Sequence, residues 1–268
     1  MRIVHFSDFH AGGGAEDWLA YLDKRWVGVF NYYFRRRNRF RLERLTRAVE
    51  RILEMKPDLV ICTGDLTSTG QPGEFEKIRP YLAPLRDSGI PLIYTPGNHD
   101  CYVRRPKCRR AVEEMALYLS HGKFPFDGRP RIIPFGGVNF ITVNTSRPSN
   151  LLCSWGFLAP EDAAFVADAC ERLAGEGPRV LVNHYPIIED HPLLRTRHRL
   201  FGERPVRRLI ESGKLELSLC GHVHKMGLRV DAEGHGECCA GSLTANGAMW
   251  EILCDEAARR FTFHRIEI

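Results

Sequence analysis

Five short hydrophobic runs, each closing on carboxylate, imidazole or amide side chains, organise this chain. They are Arg2-Ile3-Val4-His5-Phe6, Leu59-Val60-Ile61-Cys62, Leu92-Ile93-Tyr94, Val180-Leu181-Val182 and Leu217-Ser218-Leu219-Cys220. Short apolar runs bounded by glycine, proline or polar residues predict buried strands. Between them the period becomes helical. Apolar positions 42, 45, 49, 52, 53 and 55 share one helix face that Pro57 ends. Further helices are predicted over about 73–86, with a bend at Pro80, and over about 107–119 and 160–173. The last opens on Pro160-Glu161-Asp162, a proline and two acids at the positive end of the helix dipole. Past Gly221 short strands are predicted over 226–230, 236–240, 249–253 and 261–266, and a central hairpin joins 132–134 to 138–143. Strands in both halves with helices outside imply two packed sheets flanked by helices. With no linker, repeat or low-complexity stretch, one domain over 1–268 is expected.

The polar ends of the runs are Asp8-Phe9-His10, Gly64-Asp65, Gly97-Asn98-His99-Asp100, Asn183-His184 and Gly221-His222-Val223-His224. Ligands of open α/β sheets bind just beyond the carboxyl ends of the strands, so five such ends can meet at one place. Carboxylate, imidazole and amide donors suit borderline divalent metals. Singly each motif is ordinary: Asp65 can cap a helix, and His184, His222 or His224 can be a core or loop histidine. Their recurrence at five strand ends points to a centre for two metals. His5, His121, His235 and His264 lie outside the motifs and read as structural or exposed.

Composition narrows the classes. No stretch approaches the roughly 20 apolar residues of a membrane span. The first residues lack a secretory signal pattern, so a cytoplasmic location is expected. Nine scattered cysteines form neither a zinc ribbon nor a disulfide framework. The net charge of +5 is unevenly placed, because residues 24–51 hold ten Lys/Arg against Glu43 and Glu50. Arg104, Arg105, Lys107, Arg109 and Arg110 follow the third motif, and Arg195, Arg197 and Arg199 the fourth. Positive charge near a metal cleft suits an anionic substrate.

The ordered motifs from Asp8 to His224 resemble those of the calcineurin-like metallophosphoesterases. The resemblance implies an α/β fold, a four-layer αββα sandwich, holding two divalent ions (manganese, iron, zinc or cobalt). It implies that Asp8, His10 and His224 bind one ion and that Asn98, His184 and His222 complete the site of the other. Asp65 would bridge the two, as a carboxylate with two acceptor oxygens can. A metal-bridging hydroxide would attack phosphorus while His99 serves as general acid, oriented by Asp100 through its opposite ring nitrogen. Asn98, Arg104, Arg195 and His198 are expected to contact substrate, and Asn144 and residues 146–156 and 195–201 to wall the cleft.

Protein phosphatases of that superfamily carry Asp-Arg-Gly at the second motif and Gly-Asn-His-Glu at the third. Here the second continues Leu66-Thr67-Ser68 and the third ends in Asp100. Without that arginine a dianionic monoester is disfavoured, and a diester needs less added charge. Gly-Asn-His-Asp with Gly-His-Val-His is similar to bacterial class III phosphodiesterases, so a phosphodiesterase is expected. The alternative is a UDP-2,3-diacylglucosamine pyrophosphatase of lipid A synthesis, suggested by an insertion at about 24–41. There Trp26, Phe30, Tyr33, Phe34 and Phe40 interleave with Arg25, Arg35, Arg36, Arg37 and Arg39. Such a stretch either makes peripheral contact with an anionic membrane or packs its aromatics over the sandwich edge. Those enzymes commonly have arginine where this chain has His99, which counts against the lipid reading. Nucleic acid is a less favoured partner. A non-catalytic interaction module is disfavoured because every expected ligand position is filled. The oligomeric state stays open.

Overall fold

Alternation along the strands decides how the layers stack. A computed structural model describes residues 1–36, 39–148, 153–188, 196 and 198–268. The first half contains β1 (Arg2–Phe6), α1 (Arg25–Asn31), α2 (Glu43–Met55), β2 (Leu59–Cys62), α3 (Pro72–Asp87), β3 (Leu92–Tyr94) and α4 (Pro106–Leu119). The middle contributes β4 (Arg131–Phe135), β5 (Val138–Thr142), β6 (Gly156–Phe157), α5 (Pro160–Arg172), β7 (Arg179–Val182) and β8 (Leu200–Phe201). Then come α6 (Arg204–Glu211), β9 (Leu217–Cys220), β10 (Gly227–Val230), β11 (Gly236–Cys239), α7 (Leu243–Asn246), β12 (Ala248–Asp255) and β13 (Arg260–Glu267). One sheet has the order β13-β12-β1-β2-β3, the other β10-β11-β9-β7-β5-β4.

In β2, Leu59 and Ile61 face the second sheet while Val60 and Cys62 face helices. The outer face of the first sheet packs Val4, Phe6 and Val60 on Leu45, Ile52, Phe75, Leu82 and Met115 of α2, α3 and α4. Between the sheets, Ile3, Leu59 and Ile61 meet Phe140, Val180, Val182, Leu217 and Leu219. Beyond the second sheet, Ile141 and Leu181 pack on Val166 and Ala169 of α5 and on Val206 and Ile210 of α6. This is the expected four-layer αββα sandwich. Strands covered on both faces read as uninterrupted apolar runs, and each buried Val, Leu or Ile contributes about 1.5–3 kcal/mol. The parallel strands β1, β2 and β3, and β5, β7, β9 and β11, deliver their carboxyl ends to one edge of the sandwich.

The helix predicted at 73–86 is present and continuous through Pro80 and Pro84, with Phe75, Ile78, Leu82 and Leu85 holding its inner face in the core. The segment after β1 reverses the usual sorting of residues. It comprises a 3₁₀ turn (Trp18–Tyr21), α1 and a π-helical turn (Tyr32–Arg36). Arg25 and Gly28 are the buried residues of α1, whereas Trp26, Phe30, Tyr33 and Phe34 face solvent. Most of the segment's aromatics therefore do not pack over the sandwich edge.

Candidate metal centre

Asp8, His10, Asp65, His222 and His224 all adopt left-handed backbone, with φ between 52° and 69°. That conformation costs a non-glycine residue about 1–3 kcal/mol and persists only where the surroundings enforce it. Here the backbone is fastened: Asp8 N donates to Gly64 O (2.9 Å), and Phe9 N and His10 N both donate to Asp65 O (2.8 and 2.9 Å). The turns also need two glycines. A Cβ at Gly97 would overlap Asp65 Oδ1, and one at Gly221 would overlap Ser7 Oγ and Asp8 Oδ2.

Each carboxylate divides its oxygens between anchoring and presentation. Asp8 Oδ2 accepts from His222 N (3.0 Å) and Asp65 Oδ1 from His99 N (2.7 Å). Asp8 Oδ1 then lies 3.1 Å from His224 Nε2 and 3.5 Å from His10 Nε2. Asp65 Oδ2 lies 3.7 Å from His10 Nε2 and 3.5 Å from His184 Nε2. Asn98 Oδ1 is 3.2 Å from His184 Nε2. The donors form two groups, Asp8-His10-Asp65-His224 and Asp65-His184-His222, with the ligand atoms of each group within 4.8 Å of one another. Asp65 joins the two groups, presenting Oδ2 to both while Oδ1 accepts from His99 N.

These atoms fit divalent cations. Asp8 Oδ1, Asp65 Oδ2 and His222 Nδ1 are buried with no hydrogen-bond partner among the described residues. Each such atom costs about 1–3 kcal/mol, and converging lone pairs are satisfied together by a cation. The two carboxylates are held ionised, as ligands of a cation must be, whereas a cation at His184 has to displace a proton. Burial pushes the Asp8 carboxyl up, but His10 and His224 overcome this and hold it well below the ordinary range. Burial likewise opposes ionisation of Asp65, and the His184 charge prevails, leaving its carboxyl lowered. Burial would lower His184, yet Asp65 raises it to about 9.

Supporting contacts fix the rings. His184 Nδ1 lies 2.6 Å from Thr63 O, which leaves Nε2 for the centre. His198 Nδ1 lies 3.1 Å from His222 Nε2, so His198, expected at the substrate, stands behind a candidate ligand. His99 differs from expectation as well. Its Nδ1 lies 2.6 Å from the Ser68 carbonyl. Asp100 is captured elsewhere: Oδ1 accepts from Thr67 N (3.0 Å) and Thr67 Oγ1 (2.9 Å), Oδ2 from Tyr94 OH (2.8 Å) and Gly97 N (3.0 Å). Ser68 is thus the orienting partner of His99, and Asp100 braces the loop. Burial and the Asp65 charge push the Asp100 carboxyl up to about 6. The His99 ring stacks on Tyr102 at 5.3 Å and meets His10 edge-on at 4.9 Å.

Arg104 lines a cavity of about 590 Å³ together with Arg105, Arg109, Phe126, Asn144 and Ser146, beside Asp100 and Cys101. Arg195, part of the wall predicted at 195–201 and residues 149–152 of the other wall lie outside the described residues. Sequence reasoning missed Thr63 and Ser68, which act through backbone carbonyls and carry no side-chain signature. It also missed Phe40, whose ring sits 4.6 Å from His10 and 5.5 Å from His224.

Residues 1–226 match the profile of the calcineurin-like phosphoesterases. The chain belongs to that family. This calcineurin-like phosphoesterase is similar to the cAMP/cGMP dual specificity phosphodiesterase of Mycobacterium tuberculosis, 24% identical over 225 residues, 83% of this chain and 61% of that protein. It is similar also to a 3',5'-cyclic-nucleotide phosphodiesterase of Nostoc, 26% identical over 180 residues, 66% of this chain and 60% of that one. The matches thus span about three-fifths of these relatives. A dimetal phosphatase from Danio rerio shares the fold, with a TM-score of 0.65 at 12% identity and 98% of each chain covered.

Proposed function

We propose that this calcineurin-like phosphoesterase is a metal-dependent phosphodiesterase. The observation that carries the reading is the shared Asp65 Oδ2, which faces both donor groups at 3.5–3.7 Å, with His99 alongside. Asp8, His10, Asp65 and His224 would hold one cation, and Asp65, Asn98, His184 and His222 the other. Bound there, the pair supplies Lewis acidity toward phosphoryl oxygens and a water activated near neutral pH. The nitrogen and oxygen donors suit manganese, iron, zinc or cobalt. His99 donates Nδ1–H to Ser68 O, so its imidazolium can release the Nε2 proton to the departing oxygen without losing that hydrogen bond. Arg104, at the rim of the adjoining cavity, receives the anionic ester.

Preference for a diester is supported by the three residues after Asp65. Leu66, Thr67 and Ser68 are buried, and Thr67 and Ser68 are spent on Asp100 and on the His10 carbonyl, so these positions present no cation to a second phosphate charge. The relatives from Mycobacterium tuberculosis and Nostoc are named as phosphodiesterases. Seven buried cysteines support a reducing, cytoplasmic location. The test is hydrolysis by manganese-loaded protein of an aryl phosphodiester, an aryl phosphomonoester and cyclic nucleotides. The expected result is kcat/KM for the aryl diester at least about tenfold above the monoester, a difference of about 1.4 kcal/mol. A monoester preference overturns the substrate class. Stoichiometric metal with no hydrolysis assigns the protein to the non-catalytic members.

A further inference from the structure

We propose that residues 18–36 seat this protein peripherally on anionic lipid surfaces, with the metal cleft held at the bilayer face. Trp18, Tyr21, Leu22, Trp26, Phe30 and Phe34 are 48–73% exposed. With Tyr33 they make up seven of the twelve large apolar side chains exposed among the described residues, so exposure is concentrated here rather than scattered. Trp26 and Phe30 lie four apart on α1, and the Phe30 and Phe34 rings are 4.4 Å apart, which makes a continuous stripe.

The stripe is held outward by a polar anchor. Arg25 is fully buried, with Nε 2.9 Å from Asp23 Oδ1 and the guanidinium 3.3 Å from Asp17 Oδ1. Asp23 also pairs with Arg105 at 3.3 Å, and Asp17 with Lys107, which ties the segment to α4 and the turn before it. Gly28 lies so close to Thr69 that a Cβ there would overlap its methyl group. The aromatic face is therefore fixed away from the core.

Charge selects the occupant. Residues 18–41 contain Lys24, Arg25, Arg35, Arg36, Arg37, Arg39 and Arg41 against one acid, Asp23, which Arg25 and Arg105 already engage. Tryptophan, tyrosine and phenylalanine beside Lys/Arg suit the headgroup region of an anionic leaflet. A second copy across a two-fold axis would oppose two cationic segments, which costs rather than gains. Among the described residues no helix is long and apolar enough to cross a membrane, so the contact is superficial. Docking brings the centre with it. Phe40, just past the segment, touches His10 and His224, and Tyr102, packed on Gly28, stacks on His99. A phosphoester in a lipid headgroup then reaches the cleft without leaving the bilayer.

The test is flotation of the full, metal-loaded chain with phosphatidylcholine vesicles, with and without phosphatidylglycerol. Wild type is expected to float with the anionic vesicles and to be released by high salt. The triple variant Trp26→Ala, Phe30→Ala, Phe34→Ala is expected to bind at least about tenfold more weakly. Its thermal melting and its hydrolysis of a soluble aryl diester should match wild type, so a failed docking idea is distinguishable from a failed phosphodiesterase reading. No flotation of wild type, or equal flotation of the variant, overturns the proposal. A wild-type dimer that the variant lacks, or oligonucleotide binding without vesicle binding, overturns it in favour of self-association or nucleic acid.

Discussion

Two buried clusters of charge, one at the strand ends and one in the segment after β1, are completed differently. At the strand ends, Asp8 Oδ1 and Asp65 Oδ2 are buried among imidazole nitrogens at 3.1–3.7 Å. In the segment after β1, Arg25 is just as buried, but Asp17 and Asp23 supply its counter-charge from the chain itself. The first cluster has its complement outside the polypeptide, the second inside. A buried charge met by the chain is structural. Buried donors that converge without a partner ask for a ligand, and that contrast separates function from architecture here better than burial alone.

Exchanging a residue in each cluster should break the molecule in different ways. The largest effect is expected from Asp65→Asn, which weakens the one oxygen shared by both donor groups. Bound metal should fall and kcat/KM on an aryl diester should drop by about 10³-fold or more, on the order of 4 kcal/mol. The metal-free variant should melt below metal-free wild type, because the ionised carboxylate is favoured in the folded state by His184 and by His99 N. Metal analysis and melting with chelator check both halves. A metal-free variant that unfolds would make Asp65 architectural. His99→Asn should keep metal content but lose about 10²–10⁴-fold on esters with poor leaving groups, and much less on nitrophenyl esters. Equal losses on both esters would remove it from proton donation. Arg25→Met should do the reverse, costing on the order of 3 kcal/mol of stability in urea titrations, since Asp17 and Asp23 keep Lys107 and Arg105, while the folded fraction binds metal normally.

The clusters also differ in how far sequence alone reveals them. Parallel strands covered on both faces must be apolar throughout, so the polar residues after Phe6, Cys62 and Val182 stand out. Their chemistry is legible for that reason. The way His222 and His224, two residues apart, reach one centre is not, because it depends on left-handed backbone at both positions. Sequence adjacency assigns Asp100 to His99 wrongly, because the donors that capture it are Thr67, past the end of β2, and Tyr94, the last residue of β3. In the segment after β1 the composition is plain, but its orientation rests on Arg25 pairing with Asp17 and Asp23. An arginine anchor reads in sequence like any surface cation.

Glu74 links the two regions and offers the smallest effect. Its Oε2 accepts from Thr69 N at 2.8 Å and from Gln71 N at 3.4 Å, bracing the loop on which Gly28 rests. Burial outweighs these hydrogen bonds and pushes the carboxyl from 4.5 up to about 7. The folded state therefore holds this proton more tightly than the unfolded chain does. The resulting stabilisation is full below about pH 4.5 and is lost as pH rises to about 7, amounting to roughly 3 kcal/mol. Glu74→Gln keeps an acceptor for Thr69 and cannot ionise. Relative to wild type it should gain stability steadily across that window, measured as urea midpoints of both proteins at matched pH. A difference that stays constant from pH 4.5 to 7 would show that Glu74 titrates alike in both states, and that the loop between the two clusters tolerates a charge it is too buried to solvate.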